Sequence, residues 1–364
     1  MRKLSGRETL VFLIILATAA FFRFYQPSTQ WKVTGATLGL LTVAGFYFLT
    51  RELYDWRMAG LAGFVMAISF WPVAFSRSGF ADILIPFAMV WEFAFFWRGL
   101  KRGSMIDYLW AGLFASIGFY ASSSYWVAPL VAFFLFINYW SYLKKDFGHE
   151  KYEHSRNRFL GGTALAALTA FFTALPLGWQ FLIHPYQLPL WGALVPFLTQ
   201  IRPWQHFLAG IGTTLAGFNF SAEPLLAWPL GIFFLIGFIK ELWHWLRRKH
   251  GHLSPLHTFL FAWFFVMLIP GFVSPAAPDA LLMVGALPMA MLFTARGIWW
   301  IFEALGGWYD VNYPLGQYHE RKEVSPFAVW VLIVLLASLA LFEYYQVFNI
   351  PAASMPTTNI SNIH

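Results

Sequence analysis

Apolar stretches long enough to cross a lipid bilayer recur along the whole chain, and no other feature limits its fold so tightly. A span needs about 20 mostly apolar residues to cover about 30 Å of hydrocarbon. Eleven candidate stretches are read in the 364 residues: 10–22, 33–50, 58–76, 82–97, 107–121, 125–143, 159–183, 225–246, 257–274, 279–300 and 327–346. In lipid the backbone must satisfy its own hydrogen bonds within each segment, so the expected fold is all-α: a polytopic transmembrane helical bundle of about 11 spans. The chain is 59% hydrophobic and only 11% charged, against about 25% charged in soluble domains, which excludes a soluble enzyme and a disordered chain. It has no cysteine, so disulfides, thiolate nucleophiles and zinc–thiolate sites are excluded too. The first stretch has the basic start of a signal peptide (Arg2, Lys3, Arg7). Bulky Phe21 and Phe22 with Arg23 follow in place of a small-residue cleavage site, so it reads as an uncleaved span.

The basic residues orient the spans. With the N-terminus cytoplasmic, nineteen of the 24 Lys and Arg residues fall in inside segments. The outside segments hold only Arg23, Lys32, Arg77 and Arg202, and Arg296 lies near the inner end of the tenth span, where a long side chain can snorkel. Loop charge bias of this kind sets membrane orientation. The net charge of +7 is therefore topological, and no nucleic acid is needed to explain it. Most loops are too short to hold a domain, so residues 1–364 read as a single integral membrane domain with a polar outer tail over 347–364. Residues 141–158 and 306–325 read as solvated cytoplasmic connectors. The outer segment 184–224 is different: 190–201 and 204–215 are apolar, begin after Pro189 and Pro203, and are too short to span, which reads as interfacial or re-entrant helices. Small residues at helix-packing spacing (Gly35 with Gly39, Ala59 with Gly63, Gly112 with Ser116) suit close helix contact in lipid.

Ionisable groups near membrane depth are where chemistry is sought first. Arg77 and Asp82 flank the connection between the third and fourth spans, with Gly79 between them. A turn there sets a guanidinium suited to a phosphate oxygen beside a carboxylate suited to act as base or as contact to a divalent metal. The same two residues also suit a capping pair, with Asp82 favoured at a helix N-terminus. Asp279, after Pro278, and Glu223, before Pro224, both precede spans and suit helix capping or a ligand. Glu343 is a further outer-side acid, whereas Glu92, inside the fourth span, is expected to be drawn to Arg98 and Lys101. Tyr120 and Tyr125, with the serines between them, read as a polar outer rim suited to sugar hydroxyls, or as an aromatic belt. The ten histidines show no metal-ligand spacing, and no phosphate loop, dinucleotide fingerprint or serine nucleophile elbow is present.

Residues 34–55 (TGATLGLLTVAGFYFLTRELYD), followed by Ala67-Ile68-Ser69-Phe70-Trp71-Pro72 and Phe75-Ser76-Arg77, resemble the second and third spans of bacterial GT-C superfamily glycosyltransferases. These enzymes are akin to protein O-mannosyltransferases and lipid A aminoarabinose transferases. Phe119-Tyr120-Ala121-Ser122 through Ala128-Pro129-Leu130 is similar to the family's Gly-Phe-Tyr stretch, and Leu268-Ile269-Pro270 with 278–288 to its late Pro-His-Ala-Leu-Arg segment. The resemblance runs over about residues 10–300. It implies a GT-C-like bundle in a prokaryotic-type plasma membrane, with an outer aqueous site. There a polyprenyl-phosphate-linked sugar gives its sugar to an acceptor, whether protein, lipid or glycan. Asp82 is the candidate base or metal contact. Arg77, Tyr125, Arg202, Glu223 and Asp279 are candidate substrate contacts. No cofactor is implied beyond a divalent metal, whose use varies in the family. Membrane lipid is the surrounding partner.

The chain also departs from the family. Relatives carry an acidic pair in a long first outer loop, whereas residues 23–32 here hold no carboxylate. Trp126 and Leu282 stand where relatives place arginine, and Asp279 stands at the family's histidine. Two readings follow: a divergent glycosyltransferase using Asp82, or a catalytically inactive or truncated relative acting as a lipid-binding or scaffold membrane protein.

Overall fold

The computed structural model describes residues 4–25, 30–78, 81–146, 149–184, 203–221, 224–247, 255–274, 277, 279–306 and 325–349. All regular structure in them is helical. In chain order the α-helices are α1 (Gly6–Phe24), α2 (Gln30–Leu53), α3 (Trp56–Ile68), α4 (Phe70–Ser78), α5 (Leu84–Arg102), α6 (Met105–Ala121), α7 (Ala128–Asp146) and α8 (His149–Ile183). They continue as α9 (Pro203–Asn219), α10 (Trp228–Leu246), α11 (Pro255–Val266), α12 (Ile269–Val273), α13 (Leu287–Ala304) and α14 (Pro326–Asn349). Short 3-10 turns at Ala81–Ile83, Ser123–Val127 and Val284–Ala286 lead into α5, α7 and α13.

Eight of these helical segments are long and apolar enough to cross a membrane, and α3 with α4 makes a ninth as a bent pair. The other two stretches expected as spans are helices as well. However, α6 has only 17 residues, and α1 carries Arg7, Glu8 and Arg23 in its 19. The expected connector at 141–158 is largely helical, because α7 runs to Asp146 and α8 starts at His149.

Proline explains several of the helix boundaries. It occupies the first position of α9, α11 and α14, where its missing N–H goes unneeded and its fixed φ suits a helix. Deeper in a helix, its ring strikes the carbonyl four residues back. Four residues before Pro72 is Ile68, the last residue of α3, and four before Pro270 is Val266, the last of α11. The single third span read over 58–76 is therefore two helices, bent by 56° at Ser69.

The chain packs as two compact units. Unit 1 comprises Met1–Ile83, Pro224–Trp243 and Ala290–Ser354. Here α1 lies against α2 and α3, α2 against α3 and α4, and α14 against α3 and α4. A capping box of Ser5 and Glu8 starts α1, and Glu8 also pairs with Arg51 of α2 at 3.1 Å. Asp55 starts α3 by accepting from the Met58 N–H at 2.8 Å. Its carboxyl is held above the ordinary value by burial, against the opposing pull of that N–H. Arg296 of α13 pairs with Glu241 of α10, both buried, and lies over the Tyr54 ring. Arg296 is thus not snorkelling to an interface as expected, because a carboxylate is within reach in the interior.

Unit 2 comprises Leu84–Glu223, His244–Met289 and Met355–His364. Here α6 lies between α5 and α8, α7 against α11, and α9 against α12. Glycine permits the closest approaches, as its lack of a side chain does in membrane helices generally. A Cβ on Gly112 of α6 would sit 2.3 Å from the Ala166 carbonyl oxygen of α8, and one on Gly210 of α9 would sit 2.2 Å from that of Phe272 of α12. By contrast, nothing lies within 4 Å of a Cβ placed on Gly178.

Gly112→Ala is therefore expected to lower stability by about 1–3 kcal/mol through forced separation of α6 and α8. Gly178→Ala, which fills open space in a helix, is expected to be neutral or to stabilise by up to about 1 kcal/mol. Thermal unfolding in detergent reads both, and equal behaviour of the two variants would contradict the packing described.

Candidate functional site

A concentration of buried polar chemistry in unit 1 surrounds the α3–α4 bend. Breaking a helix leaves carbonyls unpaired on one side and N–H groups on the other. Arg23, in the last turn of α1 and 2% exposed, supplies donors for the first set. Its Nη1 donates to the Ala67 carbonyl at 3.0 Å and to that of Ala19 at 3.4 Å, and its Nη2 donates to the Met66 carbonyl at 3.3 Å. On the other side, the Phe70 N–H donates to Glu343 Oε2 of α14 at 2.6 Å, and Glu343 is fully buried. The signs match the helix dipoles: a cation at the end of α3 and an anion at the start of α4. Counting loop charges assigned Arg23 to an outside loop. It lies inside the protein because the break one helix away needs its donors.

At the far end of α4, Arg77 treats the end of α1 in the same way. Its Nη1 donates to the carbonyls of Phe22 at 3.2 Å and Tyr25 at 3.0 Å. The guanidinium lies 5.0 Å from the centre of the Phe348 ring. Phe348 in turn belongs to a cluster with Phe22, Tyr25 and Tyr344, which joins the C-terminal turns of α1 and α14. Arg77 is only partly buried, and among the described residues its Nη2 and Nε make no hydrogen bond. Asp82 follows in the 3-10 turn Ala81–Ile83, which packs on α2 as α4 does, and it is also partly buried. The two residues singled out in the sequence thus share one end of unit 1, although the hydrogen bonds of Arg77 run to α1.

Unit 2 holds two more of the candidates. Tyr125 is not at a rim. It is 1% exposed, and its hydroxyl donates to Glu92 Oε2 at 2.6 Å. Glu92 is correspondingly not drawn to Arg98, which pairs instead with Asp107 at the start of α6. Neither pairing is legible in the sequence, because only packing between separate elements brings the partners together. Tyr120 is exposed and donates to the Thr173 carbonyl at 3.0 Å. Asp279 accepts from the N–H groups of Leu281 at 3.0 Å and Leu282 at 3.4 Å, so it caps the turn that leads toward α13. Arg202 and Glu223 lie outside the described residues. Among the described residues no three His, Asp or Glu side chains converge to hold a metal ion.

No protein-family model and no curated protein matches the chain. Solved structures do. Archaeal oligosaccharyltransferase AglB from Archaeoglobus fulgidus, in complex with an inhibitory peptide and a dolichol-phosphate, matches with a TM-score of 0.54 at 16% identity, over 97% of this chain and 48% of that one. The Archaeoglobus fulgidus oligosaccharyltransferase in complex with Zn and sulfate matches at 0.54 and 18%, over 96% of this chain and 45% of that one. The apo form matches at 0.55 and 16%, over 96% and 48%. The likeness is one of fold: the chain has a GT-C-like helical membrane architecture and spans about half the length of the proteins it matches.

Tyr125→Phe removes one hydroxyl and leaves the buried Glu92 carboxyl without that donor. It is expected to destabilise by about 1–3 kcal/mol, read as a lower Tm in detergent. An unchanged Tm would show that the Glu92–Tyr125 bond contributes nothing.

Proposed function

We propose that the chain is a membrane glycosyltransferase that moves a sugar from a polyprenyl-phosphate donor to an acceptor at the membrane face opposite the basic loops. What carries this reading is the fold likeness over nearly the whole chain to oligosaccharyltransferases, one of them solved with a dolichol-phosphate. The residues of unit 1 suit the chemistry. Arg77 has a partly exposed edge for a phosphate oxygen, and a planar guanidinium binds phosphate through paired N–H donors. In the transfer, the bond between the anomeric carbon and the phosphate oxygen breaks, and the acceptor's oxygen or nitrogen bonds to that carbon. Asp82 takes the acceptor proton as general base. Arg77 stabilises the negative charge that stays on the polyprenyl phosphate.

One observation favours a second reading. The segment between α1 and α2, Tyr25-Gln26-Pro27-Ser28-Thr29, contains no carboxylate, and related enzymes carry an acidic pair there. A relative that binds the lipid phosphate and performs no transfer fits that segment. Transfer of radiolabelled sugar from polyprenyl-phosphate donors, measured with the purified chain in lipid, separates the two.

For an enzyme, Asp82→Asn is expected to lower kcat by about 100-fold or more, the usual reach of general-base catalysis. Arg77→Ala is expected to raise the donor KM by about 10- to 100-fold, as loss of a charge-assisted hydrogen bond does. Undiminished activity in Asp82→Asn would remove Asp82 from the mechanism. Donor binding without transfer by the unmodified chain would favour the second reading.

A further inference from the structure

We infer that Arg23 and Glu343 are positioning residues: together they clamp the two sides of the α3–α4 bend, and so fix where α4 carries Arg77 and where it delivers the turn that holds Asp82. The geometry gives each a defined half of the task. Arg23 ties off the end of α3 at Met66 and Ala67, while Glu343 ties off the start of α4 at Phe70. Only Ile68 and Ser69 lie between these two sets of bonds. Burial makes the arrangement costly to leave half-made, since a backbone polar group without a partner in lipid costs several kcal/mol.

A second contact sets the other end of the lever. A Cβ on Gly39 of α2 would lie 2.4 Å from Ser76 Cβ and 2.8 Å from Arg23 Nε, so α2, α4 and Arg23 meet where only glycine fits. Arg77 follows Ser76 directly and bonds back to the carbonyls of Phe22 and Tyr25, on either side of Arg23 along α1. One stretch of α1 therefore fixes both the break in the bent span and the guanidinium at its far end. The part of this inference that concerns chemistry rests on the glycosyltransferase reading. The part that concerns the direction of α4 does not.

The test uses the full chain in lipid nanodiscs. Because the chain has no cysteine, spin labels at Leu13→Cys and Ala81→Cys are the only ones present. Leu13 and Ala81 are both exposed. Leu13 sits between Val11 and Ile15, which pack on Gly60 and Gly63 of α3, so its label reports the α3 frame. The Ala81 label follows the end of α4. A nine-residue helix is about 13 Å long, so a change of about 20° in the bend moves its end by about 5 Å.

Glu343→Gln keeps an oxygen that accepts from the Phe70 N–H, and it is expected to preserve a narrow distance distribution. Glu343→Ala and Arg23→Ala are expected to broaden it or shift its mean by several Å. Should either alanine variant fail to give a monodisperse protein, Arg23→Lys takes its place. Lysine keeps the charge and loses the fork to two carbonyls, and the same broadening is expected. Distributions that stay unchanged in these variants would overturn the inference. In the transfer assay, Glu343→Gln is expected to keep kcat and donor KM near those of the unmodified chain, and Glu343→Ala to alter both. If the unmodified chain transfers no sugar, the functional reading fails while the distance result still decides the clamp.

Discussion

A backbone N–H or carbonyl in lipid has no water to bond to, and the α3–α4 bend is where that constraint bears hardest on this protein. Pro72 stops α3 at Ile68, and the bend of 56° at Ser69 opens unpaired groups on both sides. The remedy is a cation and an anion from the two ends of the chain: Arg23 of α1 for the carbonyls and Glu343 of α14 for the N–H. Several other features of unit 1 follow from that remedy. It brings the ends of α1 and α14 together, which assembles the aromatic cluster around Phe348. It demands Gly39 on α2. It also brings Arg77 to the end of α1, where its Nη1 donates to the carbonyls of Phe22 and Tyr25.

The same physics explains most of the other ionisable groups found in apolar segments. Arg296 meets Glu241, Arg98 meets Asp107, and Glu92 accepts from Tyr125. Charges at membrane depth are rightly treated as functional candidates, because they are expensive. Here that expense is largely offset by partners on neighbouring helices. What sets Arg77 apart is that its hydrogen bonds among the described residues use Nη1 alone, and that Asp82 follows five residues later on a turn that packs, as α4 does, on α2.

Much of the fold was legible from residues close together in sequence. The apolar stretches coincide with helices, Pro203, Pro255 and Pro326 mark helix starts, and Gly39, Gly63 and Gly112 lie at close helix contacts. The two breaks were also legible in principle, since Pro72 and Pro270 each sit four residues after a helix end. Hydropathy alone ran the spans through them. The roles of the charged residues were not legible, because their partners are remote. Arg23 bonds to residues 43 and 44 positions away, and Glu343 to one 273 positions away. Tyr125 shows the same limit: an aromatic beside serines looks like a membrane rim, and only the packing of α5 shows that a carboxyl waits for its hydroxyl.

Structure and chemistry thus meet in unit 1, where a broken span held by two buried charges presents an arginine and an aspartate at one end. We propose that this arginine receives a lipid-linked phosphate. An experimental structure of the chain in a lipid nanodisc loaded with polyprenyl phosphate tests it most directly. The phosphate is expected within hydrogen-bond reach of Arg77 Nη2 or Nε, on the side where Asp82 lies. A phosphate bound elsewhere, with Arg77 covered by lipid tails, would contradict that assignment.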